Sequence, residues 1–154
     1  MGLNFDGSLT IATGNSRKDK KWVNKDITWS DFLNIVGTPH RTAETVEEYQ
    51  MMTKDKQDAK KDVGGYVGGK LKDSQRKNGY VEFRGLLTLD EDYAQDLETK
   101  PSGYARCIYT TRNHKPEAPR RRHVIPLKRS VTPDEYQAIA RKVAEEIGIE
   151  LFDD

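Results

Sequence analysis

The sequence predicts an α+β fold, a mostly antiparallel sheet with packing helices. Three observations carry this expectation. Tyr80–Asp92 (YVEFRGLLTLDED) is rich in strand formers, with Val81, Phe83, Leu87 and Leu89 among them. Tyr104–Thr111 (YARCIYTT) and His123–Leu127 follow as two further strands. Helix signals lie outside this strand-rich middle, at Thr28–Lys61 and at Thr132–Ile147.

Composition limits what such a fold can be. A chain of 154 residues, 34% apolar and 33% charged, is predicted to form one domain, residues 1–154, with a modest core. Residues 1–30 form a less assignable N-terminal segment. The net charge of +1 gives no global field for nucleic acid, so charge distribution carries the information. The single cysteine, Cys107, argues against a disulfide framework and fits a reducing, cytoplasmic compartment. No apolar run reaches membrane-spanning length, and the N-terminus lacks the apolar core of a signal peptide.

Taken in order, residues 1–13 predict a small hairpin, with Leu3, Phe5, Leu9 and Ile11 apolar and Asp6-Gly7 as its turn. Asn15–Lys25 (NSRKDKKWVNK) reads as a solvated basic loop or a nucleic-acid arm, with Trp22 folded onto the core or stacking on a base. A short helix capped at Thr28 or Ser30 carries Trp29, Phe32, Leu33 and Val36, and Gly37 ends it. Thr42 or Thr45 caps a second helix, Thr45 and Glu48 having capping-box spacing, and it is predicted to run to Lys60 or Lys61 with a largely wet face. Gly64–Lys70 (GGYVGGK) matches GxxxxGK, but Leu71 stands where a P-loop needs Ser or Thr, and a helix rather than a strand precedes it. It reads as an irregular turn or a flexible nucleic-acid contact. A short helix is predicted to begin near Asp92 and to break at Pro101. Thr132, Pro133 and Glu135 start the last helix, whose stripe of Tyr136, Ile139, Ala140, Val143, Ala144 and Ile147 ends at Gly148. A final strand is predicted at 149–152.

Two places carry chemistry. Strand alternation puts Thr88, Asp90 and Asp92 on the face opposite Leu87 and Leu89. Two carboxylates so close repel unless a cation intervenes, and Mg²⁺ prefers such oxygen ligands. The alternative is a strand that ends in a solvated acidic turn. The second place is Arg106–Arg129, with eight Lys or Arg residues and one Glu. There Arg112, Arg120, Arg121 and Arg122 offer forks suited to phosphate, and His114 is either a surface residue or a phosphate or base contact. Cys107 reads as a small core residue.

The segments RTAETVEEYQ, DVGGYVGGKL, GLLTLDEDYA, YTTRNHKPEAPRRRHVIPL and VTPDEYQAIARKVAEEIGIELFDD occur in this order from about Thr38 to the last residue. Together they resemble the phage primase–polymerase-like domain found before virulence-associated-E-type helicases, within the archaeo-eukaryotic primases. The resemblance implies a primase-like core related to the RNA-recognition fold. It implies that Asp90 and Asp92 bind Mg²⁺ or Mn²⁺ beneath a nucleoside triphosphate, with Asp153 or Asp154 as the third acid. It implies a phosphate-binding motif of hydroxylated residue, any residue, histidine, best matched by Thr110-Thr111-Arg112. Arginine stands at the histidine place, and His114 lies two residues on. The family usually continues past the third acid, so the chain reads as truncated: a shortened piece, a small subunit completed by a missing primase portion or helicase, or a repurposed domain. Three functions remain open: metal-dependent nucleotidyl transfer, non-catalytic DNA or RNA binding, and inhibition of a host protein such as a nucleic-acid-guided defence complex. Incorporation of nucleotide, salt-dependent binding, and a protein complex without nucleic acid distinguish them.

Overall fold

The computed structural model describes residues 6–95 and 103–152. Among them, seven strands form two antiparallel sheets. The smaller has the order β2-β1-β3, from β1 (Ser8–Gly14), β2 (Val23–Thr28) and β3 (Gly65–Val67). The larger has the order β4-β5-β7-β6, from β4 (Gly69–Leu71), β5 (Val81–Glu91), β6 (Cys107–Thr110) and β7 (Arg121–Val131). The helices are α1 (Trp29–Val36), α2 (Val46–Gln50), α3 (Lys54–Lys61) and α4 (Pro133–Ile147). The α+β class and the predominance of antiparallel pairing follow the expectation.

The larger sheet is covered on both faces. Leu87 and Ile125 on one face pack with Val143, Ala144 and Ile147 of α4. Leu86 and Val124 on the other pack with Leu9 and Ile11 of β1 and with Trp29 and Phe32 of α1. The alternation along β5 is therefore as expected, but its second face meets a sheet and a helix rather than water alone. Cys107 and Tyr109 pack on the β1 side, and burial pushes the Cys107 thiol up, as suits a core residue.

Several elements differ from expectation, each for a local reason. The hairpin partner of β1 is β2, with Leu9 opposite Ile27 and Ile11 opposite Lys25. β2 (VNKDIT) is charged because it is an edge strand with only one neighbour. The Asp6 carboxylate accepts from the backbone and hydroxyl of Ser30 at the start of α1, and the first half of the hairpin expected over 1–13, with Leu3 and Phe5, lies outside the described residues. The long helix over 45–61 is two helices, because Thr53 accepts from the Lys56 N–H and caps α3 afresh. GGYVGGK supplies two strands, β3 to the smaller sheet and β4 to the larger. The segment Ile149–Leu151 is a 3₁₀ turn instead of a strand, and Phe152 bridges to Glu91. Residues 92–95 are not helical, and the rest of the helix expected there lies outside the described residues. The capping box Thr132–Glu135 starts α4 as expected.

Candidate functional site

The acid-tipped end of β5 lies against β7 in a register that opposes acids and arginines: Asp90 to Arg122 and Glu91 to Arg121. Alternation sends these two pairs to opposite faces.

On the face toward β1 and β3, Arg122 forks onto Asp90, with Nε to Oδ1 at 2.6 Å and Nη2 to Oδ2 at 3.2 Å. Both groups keep substantial exposure, 37% for the arginine side chain and 51% for the carboxylate. Tyr109 is opposite Arg122 on β6, and its hydroxyl lies 2.9 Å from that of Tyr66 on β3. Burial pushes the Tyr66 phenol well above its usual range. Burial also works against the charge of Arg122, but Asp90 outweighs it and the guanidinium stays charged. Asp92 follows the end of β5, and Arg120 stands 3.9 Å from its carboxylate.

The opposite face holds a buried polar cluster. Arg121 donates to Glu91 through Nε at 3.1 Å and Nη2 at 2.7 Å. His123 Nε2 lies 2.6 Å from Glu91 Oε2, the oxygen that also accepts from Arg121 Nε. Its Nδ1 lies 3.3 Å from Arg106 Nη1. A guanidinium only donates, so Nδ1 accepts and Nε2 carries the proton: the imidazole is neutral and donates to Glu91. Burial is the leading cause of the lowered His123 pKa, and Glu91 opposes it. Burial would raise the Glu91 carboxyl, but its bonds from Arg121 and His123 prevail and hold it below its usual value. The Phe152 ring meets His123 edge-on.

The other expected site residues have different partners. Arg112 donates to the Thr42 hydroxyl at 2.7 Å, pairs with Glu44, and lies over the Tyr49 ring at 4.7 Å. It thereby ties α2 to the end of β6. His114 Nδ1 accepts from the Arg120 backbone N–H at 3.1 Å and closes the 111–120 turn. Thr110 sits at the exposed end of β6, opposite Arg121. Asp153 and Asp154 lie outside the described residues. The three consecutive arginines thus part company: Arg120 pairs with Asp92, Arg121 is buried on Glu91, and Arg122 holds Asp90. Glu91 and His123 do not stand out as a pair in the sequence, because only the β5–β7 register brings them together.

Carboxylates at Asp90 and Asp92 have the chemistry Mg²⁺ or Mn²⁺ takes. Both Asp90 oxygens are engaged by Arg122, and no cluster of three or more His, Cys, Asp or Glu side chains is placed for a metal among the described residues. No helix among them is long and apolar enough to cross a membrane.

The structure defines an α+β domain whose larger antiparallel sheet has a central acid-tipped strand. Residues 1–154 match the family described as VapE N-terminal domain, and the chain belongs to that family. No curated protein and no solved structure matches it.

Proposed function

We propose that this chain is a primase-like module that binds the phosphate of nucleotides or nucleic acid at the Asp90–Arg122 end of its larger sheet. The supporting observation is the exposed fork itself. An exposed ion pair is weakly held, on the order of 1 kcal/mol or less, so a ligand can exchange it. Phosphate competes with Asp90 for Arg122, whose fork matches two phosphate oxygens. A divalent cation competes with Arg122 for Asp90. A nucleotide bearing its cation satisfies both groups at once, which neither ligand does alone.

Asp90 and Asp92 would then hold the Mg²⁺ or Mn²⁺, with Asp153 or Asp154 available as a third acid. The bound cation would supply activation of an attacking hydroxyl and neutralisation of phosphate charge. This chain's own contribution is positional: Arg122 turns onto phosphate, Arg120 screens Asp92, and the Tyr66–Tyr109 hydroxyl pair lines the same face. Nucleotidyl transfer is the further step of this reading.

Titrating Mn²⁺ and labelled nucleoside triphosphate against wild type, Asp90→Asn and Arg122→Gln tests it. Arg122→Gln should bind free Mn²⁺ more tightly, because the carboxylate is released. It should bind nucleotide at least about tenfold more weakly, as expected for removing one charge-assisted hydrogen-bonding partner. Asp90→Asn should lose the Mn²⁺ dependence of nucleotide binding. Equal binding by all three proteins refutes the site. Absence of nucleotide and oligonucleotide binding in the wild type would favour a primase-derived scaffold directed at a protein.

A further inference from the structure

Two loops that are far apart in sequence form one basic surface away from the β5–β7 end. The loop before β2 carries Arg17, Lys18, Lys20 and Lys21, and the segment after β4 carries Lys72, Arg76 and Lys77, all exposed. The two segments together hold seven Lys or Arg residues and two Asp, in a chain whose net charge is only +1.

Backbone bonds fix the loops to each other. The Trp22 N–H donates to the Ser74 carbonyl at 2.8 Å, and the Arg76 N–H donates to the Lys20 carbonyl at 2.8 Å. Lys21 Nζ donates to the Asp73 carbonyl at 3.0 Å, and Arg76 Nη1 to the Arg17 carbonyl at 2.8 Å. The charges are therefore held side by side rather than on independent floppy loops. Two aromatic rings sit among them. Arg76 covers Trp22 at 5.1 Å, and Lys77 and Lys72 approach the half-buried Tyr80 ring at 5.1 and 6.0 Å.

The acids nearby do not cancel the patch. Asp58 pairs with Arg17 at 3.8 Å, and Asp62 accepts from the Ser16 hydroxyl and the Arg17 N–H. Lys18, Lys20, Lys72, Arg76 and Lys77 have no ion pair among the described residues. Holding seven cations together against only two acids costs free energy, and a polyanion recovers it. By contrast, the three consecutive arginines at 120–122 are each committed to a carboxylate.

We infer that this two-loop surface binds the phosphodiester backbone of a single nucleic-acid strand, with Tyr80 as a stacking platform. Cations spread over two rigidly joined loops track successive phosphates. A ring flanked by lysines accepts a base of any identity. This surface is separate from the Asp90–Arg122 site, so the inference stands independently of nucleotide binding there.

The test uses a labelled oligothymidylate and a labelled nucleoside triphosphate, each titrated at several salt concentrations. The protein is compared with a Lys18→Gln, Lys20→Gln, Lys72→Gln, Lys77→Gln variant and with Arg122→Gln. The four lysine side chains are exposed, so folding is expected to be retained, with circular dichroism as the check. The quadruple variant should bind the oligonucleotide at least about tenfold more weakly at low salt. Its slope of log affinity against log salt should shrink by about 0.7 for each phosphate that the protein no longer neutralises. Its nucleotide binding should match wild type. Tyr80→Leu should weaken the oligonucleotide at constant salt slope, the signature of weakened stacking. An unchanged affinity and slope in the quadruple variant overturns the inference. So does loss of oligonucleotide binding in Arg122→Gln alone. Failure of the wild type to bind nucleotide, with lysine-dependent oligonucleotide binding retained, overturns the phosphate site and supports this surface.

Discussion

Glu91, Arg121 and His123 are buried polar residues, at 1%, 5% and 1% exposure. Breaking a buried pair leaves an uncompensated charge, a loss of about 3–5 kcal/mol. The same cluster gives the domain a pH dependence of definite sign. His123 is held neutral, with its pKa below the ordinary 6.5. The unfolded chain therefore takes up the proton first, and stability falls as pH drops below about 6.5. Glu91 has a folded pKa below the ordinary 4.5, so its contribution is present above that value and is lost as pH falls further. Both act in one direction, in two successive windows. Thermal melts should show Tm falling between neutral pH and pH about 5.5, and His123→Gln should flatten that first fall. An equal fall in both proteins would remove His123 as its source. Little of this cluster is legible in the sequence. The strand alternation around Asp90 is, but the partner of each acid depends on β5–β7 register, which residue pattern along one strand does not specify.

The elements are most legible where their ends carry chemical signals. Thr132, Pro133, Glu135 and Gly148 bound α4 in the structure as they do in the sequence. β2 is hidden because an edge strand with one neighbour tolerates Asn24, Lys25 and Asp26, which dilute the strand pattern. The break between α2 and α3 is hidden because Thr53 inside a polar helical run looks like an ordinary surface residue until its hydroxyl caps the second helix. Within α4, periodicity marks a stripe but does not rank its members. Ile147 is buried to 5% exposure at the centre of the core under β5, whereas Ile139 packs at its edge and is half-buried. Ile147→Ala should therefore cost about 2–5 kcal/mol in urea unfolding, and Ile139→Ala clearly less. The reverse order would mean that α4 seats on the sheet in another rotation.

At the scale of the whole molecule, the two sheets are joined through GGYVGGK. This segment leaves the smaller sheet after β3 and enters the larger one as β4 within a single connecting residue, Gly68. The Gly68 carbonyl accepts from the N–H groups of both Gly85 and Leu86, at 3.0 and 3.1 Å, where the β5–β7 register shifts. The backbones approach so closely that a Cβ on Gly69 would lie 2.0 Å from the Phe83 carbonyl oxygen and one on Gly68 2.8 Å from the Leu86 Cβ. A flexible side chain can yield to such an intrusion, but a backbone carbonyl of β5 where it pairs with β4 cannot do so cheaply. The glycines are visible in the sequence as a sign of unusual backbone, and their reading as an irregular turn misses the reason, which is packing between strands distant in sequence. Because the same crossing positions β5 beneath β1 and α1, its failure should be felt across the domain and not only in a loop. Gly69→Ala should lower stability by at least about 2 kcal/mol, and hydrogen exchange should accelerate in both sheets. Gly79→Ala is the matched control for loop changes: a Cβ there meets nothing within 4 Å, although its φ of +79° carries the usual left-handed strain. Exchange accelerating only around β4 in Gly69→Ala would show that the sheets hold together without this crossing.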